Sequence, residues 1–307
     1  PRGLGGSGGA VEAQSSPARP RGGARPGGAA DWFAETRGAR ADVVPELGGI
    51  VSSLRIGSLE EALFRHPWFW GPATEELRGG IPPLFPVCGR LLQDGVRGQY
   101  RVNGKPFVMP IHGFSFRHPW EVVAAERPDA LRLRLTDNAA TRAIYPFAFE
   151  LDLLYSVSAA GFACRLSVRN AGDAPLPYYA GFHPYFLTPP PAVGQAQTPF
   201  AAPPAKRHLY NATKSDLVAD VRPPAFPMPV ADVDVNELLL ELDADRDTTL
   251  RLPGGIVLRQ SASPIFRFRQ FYTLPDQPFF CDEPWMAPPG SMNRPGAARV
   301  LAPGETE

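Results

Sequence analysis

Cysteine is scarce in this sequence, and the three residues present, Cys88, Cys164 and Cys281, lie far apart in the chain. This spacing does not match a metal site built on paired cysteines, and an odd number leaves one thiol over in any disulfide scheme. The sequence therefore indicates a reducing compartment, and we expect a cytoplasmic protein.

Net charge and long apolar runs are missing as well. Lysine and arginine together number 31, as do aspartate and glutamate, so no broad field would attract nucleic acid or an anionic membrane. No apolar run approaches the roughly 20 residues that cross a bilayer, and nothing near the start of the sequence resembles a secretory h-region. We expect a soluble protein with no nucleic-acid or membrane partner, which acts on a small, weakly charged molecule as a monomer or weak dimer.

Large apolar residues are rare in residues 1–30, which consist mainly of Gly, Ala, Pro, Arg and Ser. Such a composition cannot offset the entropy of ordering, so it predicts a disordered, low-complexity tail. Its arginines also resemble those of an organelle transit peptide, which gives an alternative location. We assign residues 31–307 to one domain, because β architectures of this length often form a single domain.

Short alternating runs, broken by prolines and glycines, dominate the rest of the chain. Residues 131–136 (LRLRLT), 162–168 (FACRLSV) and 266–269 (FRFR) alternate apolar and polar side chains, as half-buried strands do. The 37 prolines and 30 glycines disfavour long helices and are accommodated in turns and edge strands. The sequence predicts an all-β, mostly antiparallel sandwich, with residues 189–204 as a long proline-rich loop.

Residues 279–285 (FFCDEPW) carry a candidate catalytic base. In an extended run, Glu283 lies on the same face as Phe279, whereas Asp282 lies on the other, so the two acids cannot form a catalytic dyad. An apolar neighbour raises the pKa of a carboxyl group, which makes Glu283 a plausible base. The alternative is a solvated glutamate at a strand end.

Residues 181–186 (GFHPYF) place His183 among aromatic residues and a proline. An imidazole can supply the acid that matches a carboxylate base near neutral pH, and aromatic rings suit the apolar face of a sugar. The alternative is a core histidine bonded to a backbone carbonyl. Two further candidates lie upstream, Arg90 as a planar hydrogen-bond donor and His112.

Four segments together resemble, in order and spacing, the aldose 1-epimerase (galactose mutarotase-like) family: residues 79–91, 112–120, 181–186 and 283–285. The resemblance runs from about Asp42 to the end of the sequence. It implies a galactose mutarotase-like β-supersandwich with a sugar site in a cleft across one sheet. It also implies that Glu283 is the base and His183 the acid, and that Arg90 and His112 orient the substrate.

Two positions concern the details of this resemblance. Phe116 stands where many relatives have an arginine. Relatives often have a further acid near a late strand that binds sugar hydroxyls. Asp232 and Asp234 both fit that description, and Asp234 is our candidate for a substrate-binding residue.

The implied activity is mutarotation, the interconversion of the α and β anomers of a hexose. Ionised Glu283 would accept the proton of the C1 hydroxyl while protonated His183 donates one to the ring oxygen, which requires no metal or other cofactor. We expect a gap of roughly 5 to 7 Å between the two groups, so that each reaches its own sugar oxygen.

Two alternatives stay open. A hexose-6-phosphate 1-epimerase would need a cluster of cations for the phosphate, for which the candidates are Arg90, Arg101, Arg117, Arg267 and Arg269. Strand alternation puts Arg267 and Arg269 on one face, which is ordinarily a solvated sheet face. The other alternative is a non-catalytic carbohydrate-binding protein of the same fold.

Overall fold

The computed structural model describes residues 32–70, 79–123, 127–159 and 161–307. The tail expected in residues 1–30 lies outside these ranges. Within them, α1 (Ala139–Ile144) is the one α-helix, and the Asn138 side chain caps it by accepting hydrogen bonds from two backbone N–H groups of the first turn. No helix of the described chain is long and apolar enough to cross a membrane.

Strands make up most of the regular structure. The first twelve, β1 to β12, are Trp32–Thr36, Ala39–Val44, Ile50–Ile56, Pro83–Leu84, Leu92–Gln93, Val96–Arg97, Gln99–Val102, Lys105–Val108, Glu121–Val123, Ala130–Thr136, Phe149–Ser158 and Gly161–Asn170. The next, β13 to β25, are Leu176–Tyr178, Gly181–Phe182, Tyr185–Leu187, Pro199–Ala201, Ala205–Tyr210, Leu217–Val221, Met228–Pro229, Leu238–Leu242, Thr248–Arg251, Val257–Gln260, Phe268–Tyr272, Phe279–Trp285 and Arg299–Leu301. Short 3-10 helices are Pro45–Leu47, Ser115–Arg117, Gln195–Gln197, Val233–Val235, Pro253–Gly255 and Ser291–Asn293.

The largest sheet carries the candidate site. Its eight strands run in the order β18-β17-β20-β23-β24-β14-β4, with β15 also paired to β24, and all of these pairs are antiparallel. Two four-stranded sheets, β12-β11-β10-β9 and β19-β16-β21-β22, and the three-stranded sheet β1-β2-β3 accompany it. The structure therefore confirms the all-β, mostly antiparallel prediction.

Alternating side chains explain how the sheets pack. Strand β11 buries every second residue from Phe149 to Val157, and these side chains join the main hydrophobic core. A second core, which includes Phe200, Leu250, Phe271 and Phe280, joins the large sheet to the β19-β16-β21-β22 sheet. Strand β24 is buried on both faces, so every one of its side chains is held by neighbours.

Two of the three alternating runs are confirmed as β10 and β12. The third begins only at Phe268, so alternation does not relate Arg267 to Arg269. The prediction of a shared solvated face is wrong, because the Arg267 side chain is 60% exposed and that of Arg269 is 0% exposed. The region expected to be a loop, 189–204, contains one 3-10 helix and strand β16.

Candidate active site

The pairing of strands brings His183 and Glu283 together. Strands β14 and β15 lie on either side of His183, and both pair with β24 in one continuous register. In that register His183 stands directly opposite Glu283, although the two are a hundred positions apart in the chain. The pairs that fix it are Gly181 with Trp285 and Tyr185 with Cys281.

Gly181 makes this close pairing possible. A Cβ atom at this position would lie 2.6 Å from the Pro284 carbonyl oxygen and 2.7 Å from the Cys88 Sγ. Both distances are too short for any side chain. Glycine is therefore required where β14 pairs with β24, two residues before His183.

His183 and Glu283 are in direct contact. The His183 Nε2 lies 3.3 Å from the Glu283 Oε1, and the two side chains are 5% and 2% exposed. The Trp285 Nε1–H donates to the Glu283 Oε2 at 3.1 Å, and the Tyr185 ring stacks on the His183 ring with centroids 4.6 Å apart. The expected gap of 5 to 7 Å is wrong, because the two groups touch and face the cleft as one unit.

Burial decides where the proton of this pair rests. It raises the pKa of Glu283 well above its usual range, and the negative charge of Glu237 raises it further. Burial also lowers the pKa of His183 well below its usual range, and His112 adds to that effect. Both shifts favour the uncharged arrangement of the pair, with a proton on the carboxyl group beside a neutral imidazole.

His112 is fixed as a hydrogen-bond donor. Its backbone has a left-handed φ of 61°, and its N–H donates to the Gly89 carbonyl oxygen at 2.9 Å. In return, the Gly89 N–H donates to the His112 Nδ1 at 3.1 Å. Because Nδ1 accepts this bond, the neutral ring carries its proton on Nε2, which can donate to a ligand in the cleft.

Metal binding is the other chemistry that this cluster suggests. One ligand atom each from His112, His183 and Glu283 lie within 4.8 Å of one another, and two histidines with a glutamate form a common catalytic zinc set. The Gly89 bond uses the lone pair of the His112 Nδ1 and leaves the proton on Nε2. The donor set does not fit a metal ion, since coordination would require that bond to break.

The pair opens into a cleft of about 600 Å³. Arg90 lines this cleft and is exposed. Its guanidinium has no hydrogen-bond or ion-pair partner among the described residues. Lys214 and Glu237 form an ion pair at 2.5 Å on the wall of the cleft. Both have a left-handed backbone, with φ of 55° and 63°, a conformation that ordered sites often impose on non-glycine residues.

The structure brings Arg90, His112, His183 and Glu283 together around this cleft. Asp234 does not line the cleft. Its side chain is 56% exposed and pairs with Arg207 at 3.1 Å. Asp232 is likewise outside the lining, where its carboxylate accepts the Asp234 N–H.

Glu237 is a cleft acid that sequence reasoning missed. It precedes the apolar strand β20 by one residue. Its only sequence signal is this place in front of an apolar run, which is weak because strand ends commonly carry solvated acids.

The aldose 1-epimerase family model matches residues 35–198, which is more than half of the sequence. The chain belongs to the aldose 1-epimerase family. The chromosomal and plasmid LacX proteins of Lactococcus lactis are each 27% identical to it over 126 residues, 40% of this chain and 41% of theirs. The chain thus spans less than half of the length of these curated relatives.

Solved structures of the family's fold superimpose on most of the chain. The Slr1438 protein of Synechocystis sp. PCC 6803 has a TM-score of 0.77 at 25% identity, covering 90% of this chain and 92% of that one. A galactose mutarotase-like protein of Lactobacillus casei ATCC 334 has a TM-score of 0.75 at 21% identity, covering 90% and 97%. The fold of this family member is therefore galactose mutarotase-like.

Acid should destabilise this aldose 1-epimerase family member through its buried histidines. Burial and the charge of Arg90 lower the pKa of His112 to about 3, whereas an unfolded histidine titrates near 6.5. Between these values the unfolded state binds more protons, so stability falls as the pH falls. From pH 6.5 to 5.5, we expect His112 alone to remove about 1 kcal/mol from the free energy of unfolding.

Urea denaturation at the two pH values measures this loss. The His112→Asn variant is the control, because its amide oxygen can still accept the Gly89 N–H but does not titrate. Its loss between pH 6.5 and 5.5 should be smaller than that of the wild type by about 1 kcal/mol. An equal loss in both proteins would show that His112 is not kept neutral by the fold.

Proposed function

We propose that this protein interconverts the α and β anomers of a free aldose hexose by acid–base catalysis. The observation that carries the proposal is the contact between the His183 Nε2 and the Glu283 Oε1 at the base of the cleft. Arg90 and the Nε2–H of His112 supply donors beside the pair for sugar hydroxyls. Membership in the aldose 1-epimerase family supports the same chemistry.

Ring opening needs one proton removed and one proton supplied. The C1 hydroxyl gives its proton to ionised Glu283, protonated His183 gives its proton to the ring oxygen, and the bond between C1 and the ring oxygen breaks to leave an aldehyde. Rotation about the bond from C1 to C2 and the reverse transfers give the other anomer. Both reacting oxygens are attached to C1, so two groups in contact can reach them from one side.

The protonation state that burial favours for Glu283 and His183 in the free protein fits this cycle. A proton that moves from Glu283 to His183 across 3.3 Å creates the base and the acid in one step. After ring opening, Glu283 again holds a proton and His183 is neutral. This is the arrangement that burial favours in the free protein, so the site stabilises the open-chain state without isolating a charge.

The charges around the cleft favour a free sugar over a sugar phosphate. Of the five candidate arginines, Arg90 alone lines the cleft. The others are engaged elsewhere: Arg101 with Asp94, Arg117 over the Phe116 ring, Arg267 with Glu241 and Arg269 with Asp282. The other cation of the lining, Lys214, is already paired with Glu237. The described residues assemble no cluster of free cations for a phosphate.

Anomer exchange measured in parallel with glucose, galactose and glucose 6-phosphate tests the proposal. We expect catalysis with at least one free hexose, at a kcat/KM about tenfold or more above that for glucose 6-phosphate, since three carboxyl groups and one unpaired arginine line the cleft. Heat-denatured protein gives the spontaneous rate. A preference for glucose 6-phosphate would support the phosphate alternative, and no catalysis with any sugar would support a non-catalytic carbohydrate-binding protein.

A further inference from the structure

Arg90 and Lys214, the two cations that the described residues contribute to the cleft, both lie outside the strands. Lys214 belongs to the turn between β17 and β18, residues 211–216, and Arg90 precedes β5 by two residues. Glu283, by contrast, lies within β24 and is fixed by strand pairing. The two cations therefore depend on contacts between turns for their positions.

The segment that follows β24, residues 288–294, holds the chain at Arg90. The Gly290 N–H donates to the Arg90 carbonyl oxygen at 3.2 Å. Three residues later, the Asn293 Nδ2 donates to the Leu92 carbonyl oxygen at 3.2 Å. These two bonds fix the backbone from which the Arg90 side chain reaches the cleft.

The same segment lies against the turn of Lys214. Gly290 has a left-handed φ of 76°, and a Cβ atom there would lie 2.4 Å from the Ser215 carbonyl oxygen. Only glycine allows so close an approach. Within the turn, the Lys214 N–H donates to the Asn211 carbonyl oxygen at 2.9 Å. A shift of this turn would therefore carry Lys214 with it.

Arg294 closes the contact between the segment and the turn. Its Nη1 pairs with the Asp216 carboxylate. Its Nη2 donates to the Pro289 carbonyl oxygen at 3.1 Å and to the Ser291 Oγ at 3.1 Å. The Leu217 N–H donates to the same Asp216 carboxylate at 2.8 Å. One planar guanidinium thus bonds the segment and the turn at once, and its acid partner is tied to the first residue of β18.

We propose that Arg294 is a positioning residue, which holds the turns of Arg90 and Lys214 together so that both cations keep their places beside the sugar. The inference rests on the proposed function, because it takes the sugar as the ligand. Arg294 does not line the cleft and takes no part in proton transfer. It acts through the backbone of Arg90 and through the ion pair of Lys214 with Glu237.

This role predicts an effect on binding rather than on the chemical step. Hydroxyls away from C1 do not change during ring opening, so donors such as Arg90 bind substrate and transition state alike. Loss of such uniform binding raises KM and leaves kcat unchanged. His183 and Glu283 are held by the pairing of β14 and β15 with β24, which does not involve Arg294.

Anomer exchange by Arg294→Met, with the free hexose that the wild type converts fastest, tests this role. We expect KM to rise about fivefold while kcat stays within about twofold of the wild type. Arg294→Lys should raise KM only about twofold, because lysine keeps the charge opposite Asp216 but loses the planar fork. An unchanged KM in Arg294→Met, or a kcat that falls by more than KM rises, would overturn the proposal.

Asp216→Asn breaks the same link from the other side. The side chains of Arg294 and Asp216 are 34% and 49% exposed, so the charge that remains in either variant keeps its contact with water and the protein should fold. The amide oxygen can still accept the Leu217 N–H. We expect KM to rise about threefold with kcat unchanged, and an unchanged KM would contradict the role of the ion pair.

Arg101→Met is the matched control. Arg101 pairs with Asp94 at 2.8 Å and donates to the Gly104 carbonyl oxygen at 2.8 Å, so it also combines an ion pair with a backbone bond. It does not line the cleft, and its loss should change neither KM nor kcat. An equal rise of KM in Arg101→Met and Arg294→Met would overturn the positioning role.

Hydrogen–deuterium exchange separates failure of this role from failure of the proposed function. Absence of catalysis with every sugar contradicts the proposed function, and backbone amide exchange then decides on Arg294 by itself. In Arg294→Met, amides in residues 211–216 and 288–294 should exchange about tenfold faster than in the wild type, whereas those of β24 should keep their rates. Unchanged rates in both stretches would overturn the proposal.

Discussion

We expect Glu283→Gln to lower kcat for anomer exchange at least about 100-fold, because general acid–base catalysis by one positioned group contributes about 10²–10⁴-fold. The amide has the shape of the carboxyl group, and its oxygen can still accept the Trp285 Nε1–H bond. It cannot take the proton of the C1 hydroxyl, nor hold the proton that His183 must receive. Polarimetry with glucose measures the rate.

Glu60→Gln is the matched control, since it makes the same chemical change at an exposed glutamate outside the cleft. It should keep the wild-type rate. His183→Asn should cause a loss similar to that of Glu283→Gln, and the double variant should lose little more than either single variant, because the two groups act as a unit. A Glu283→Gln protein that folds and keeps half of the wild-type rate would exclude Glu283 as the base.

We expect Arg269→Met to destabilise the fold by about 3–5 kcal/mol, the usual cost of removing one member of a buried ion pair. The Arg269 Nη1 lies 3.3 Å from the Asp282 Oδ1, and its Nη2 donates to the Arg246 carbonyl oxygen at 2.6 Å. Without Arg269, Asp282 keeps the bond from the Thr248 hydroxyl but loses the compensating charge. Urea denaturation at pH 7 measures the loss.

The pH dependence of this loss has a definite sign. Burial raises the pKa of Asp282 and the charge of Arg269 lowers it, so the pKa rises further in the Arg269→Met variant. Protonated Asp282 needs no cation, and the deficit of the variant relative to the wild type should shrink as the pH falls through that raised pKa. A deficit that does not change with pH would show that Asp282 is not the group left uncompensated.

Arg267→Met is the matched control for the ion pair. Arg267 is two residues away and pairs with Glu241, but it is mostly exposed, so its loss should cost at most about 1 kcal/mol. Equal costs for the two variants would contradict the assignment of Arg269 as a buried structural residue behind the strand that carries Glu283.

The fold was predictable from the sequence where it depends on alternating apolar and polar residues and on the prolines and glycines that interrupt strands. Residues 131–136 and 162–168 alternate strictly and became β10 and β12. Residues 266–269 alternate equally well, yet Arg267 precedes β23 and Arg269 is buried. Alternation describes a single strand, whereas burial on both faces depends on the second core packed behind β23, which local sequence does not reveal.

The site was predictable in its residues but not in its geometry. Four motifs in order pointed to Arg90, His112, His183 and Glu283, which the structure brings to one cleft. Their contact depends on β14 and β15 pairing with β24 in one register, a relation between strands that no local pattern specifies.

The charge state of Glu283 and the position of Glu237 in the cleft also could not be predicted without the tertiary structure. Near neutral pH, an isolated glutamate is ionised, whereas burial beside Glu237 favours the protonated form of Glu283. Asp234 and Glu237 are three residues apart, and only the fold shows that Glu237 lines the cleft while Asp234 pairs with Arg207.

Two-dimensional exchange NMR of the anomeric protons of glucose tests the role of the His183–Glu283 pair most directly, because it reads α/β interconversion at equilibrium without a coupling enzyme. With wild-type protein, cross-peaks between the two anomeric protons should grow well above the spontaneous rate, and with Glu283→Gln they should return to that rate. Cross-peaks at the spontaneous rate with the wild type, or equally strong with both proteins, would contradict this account.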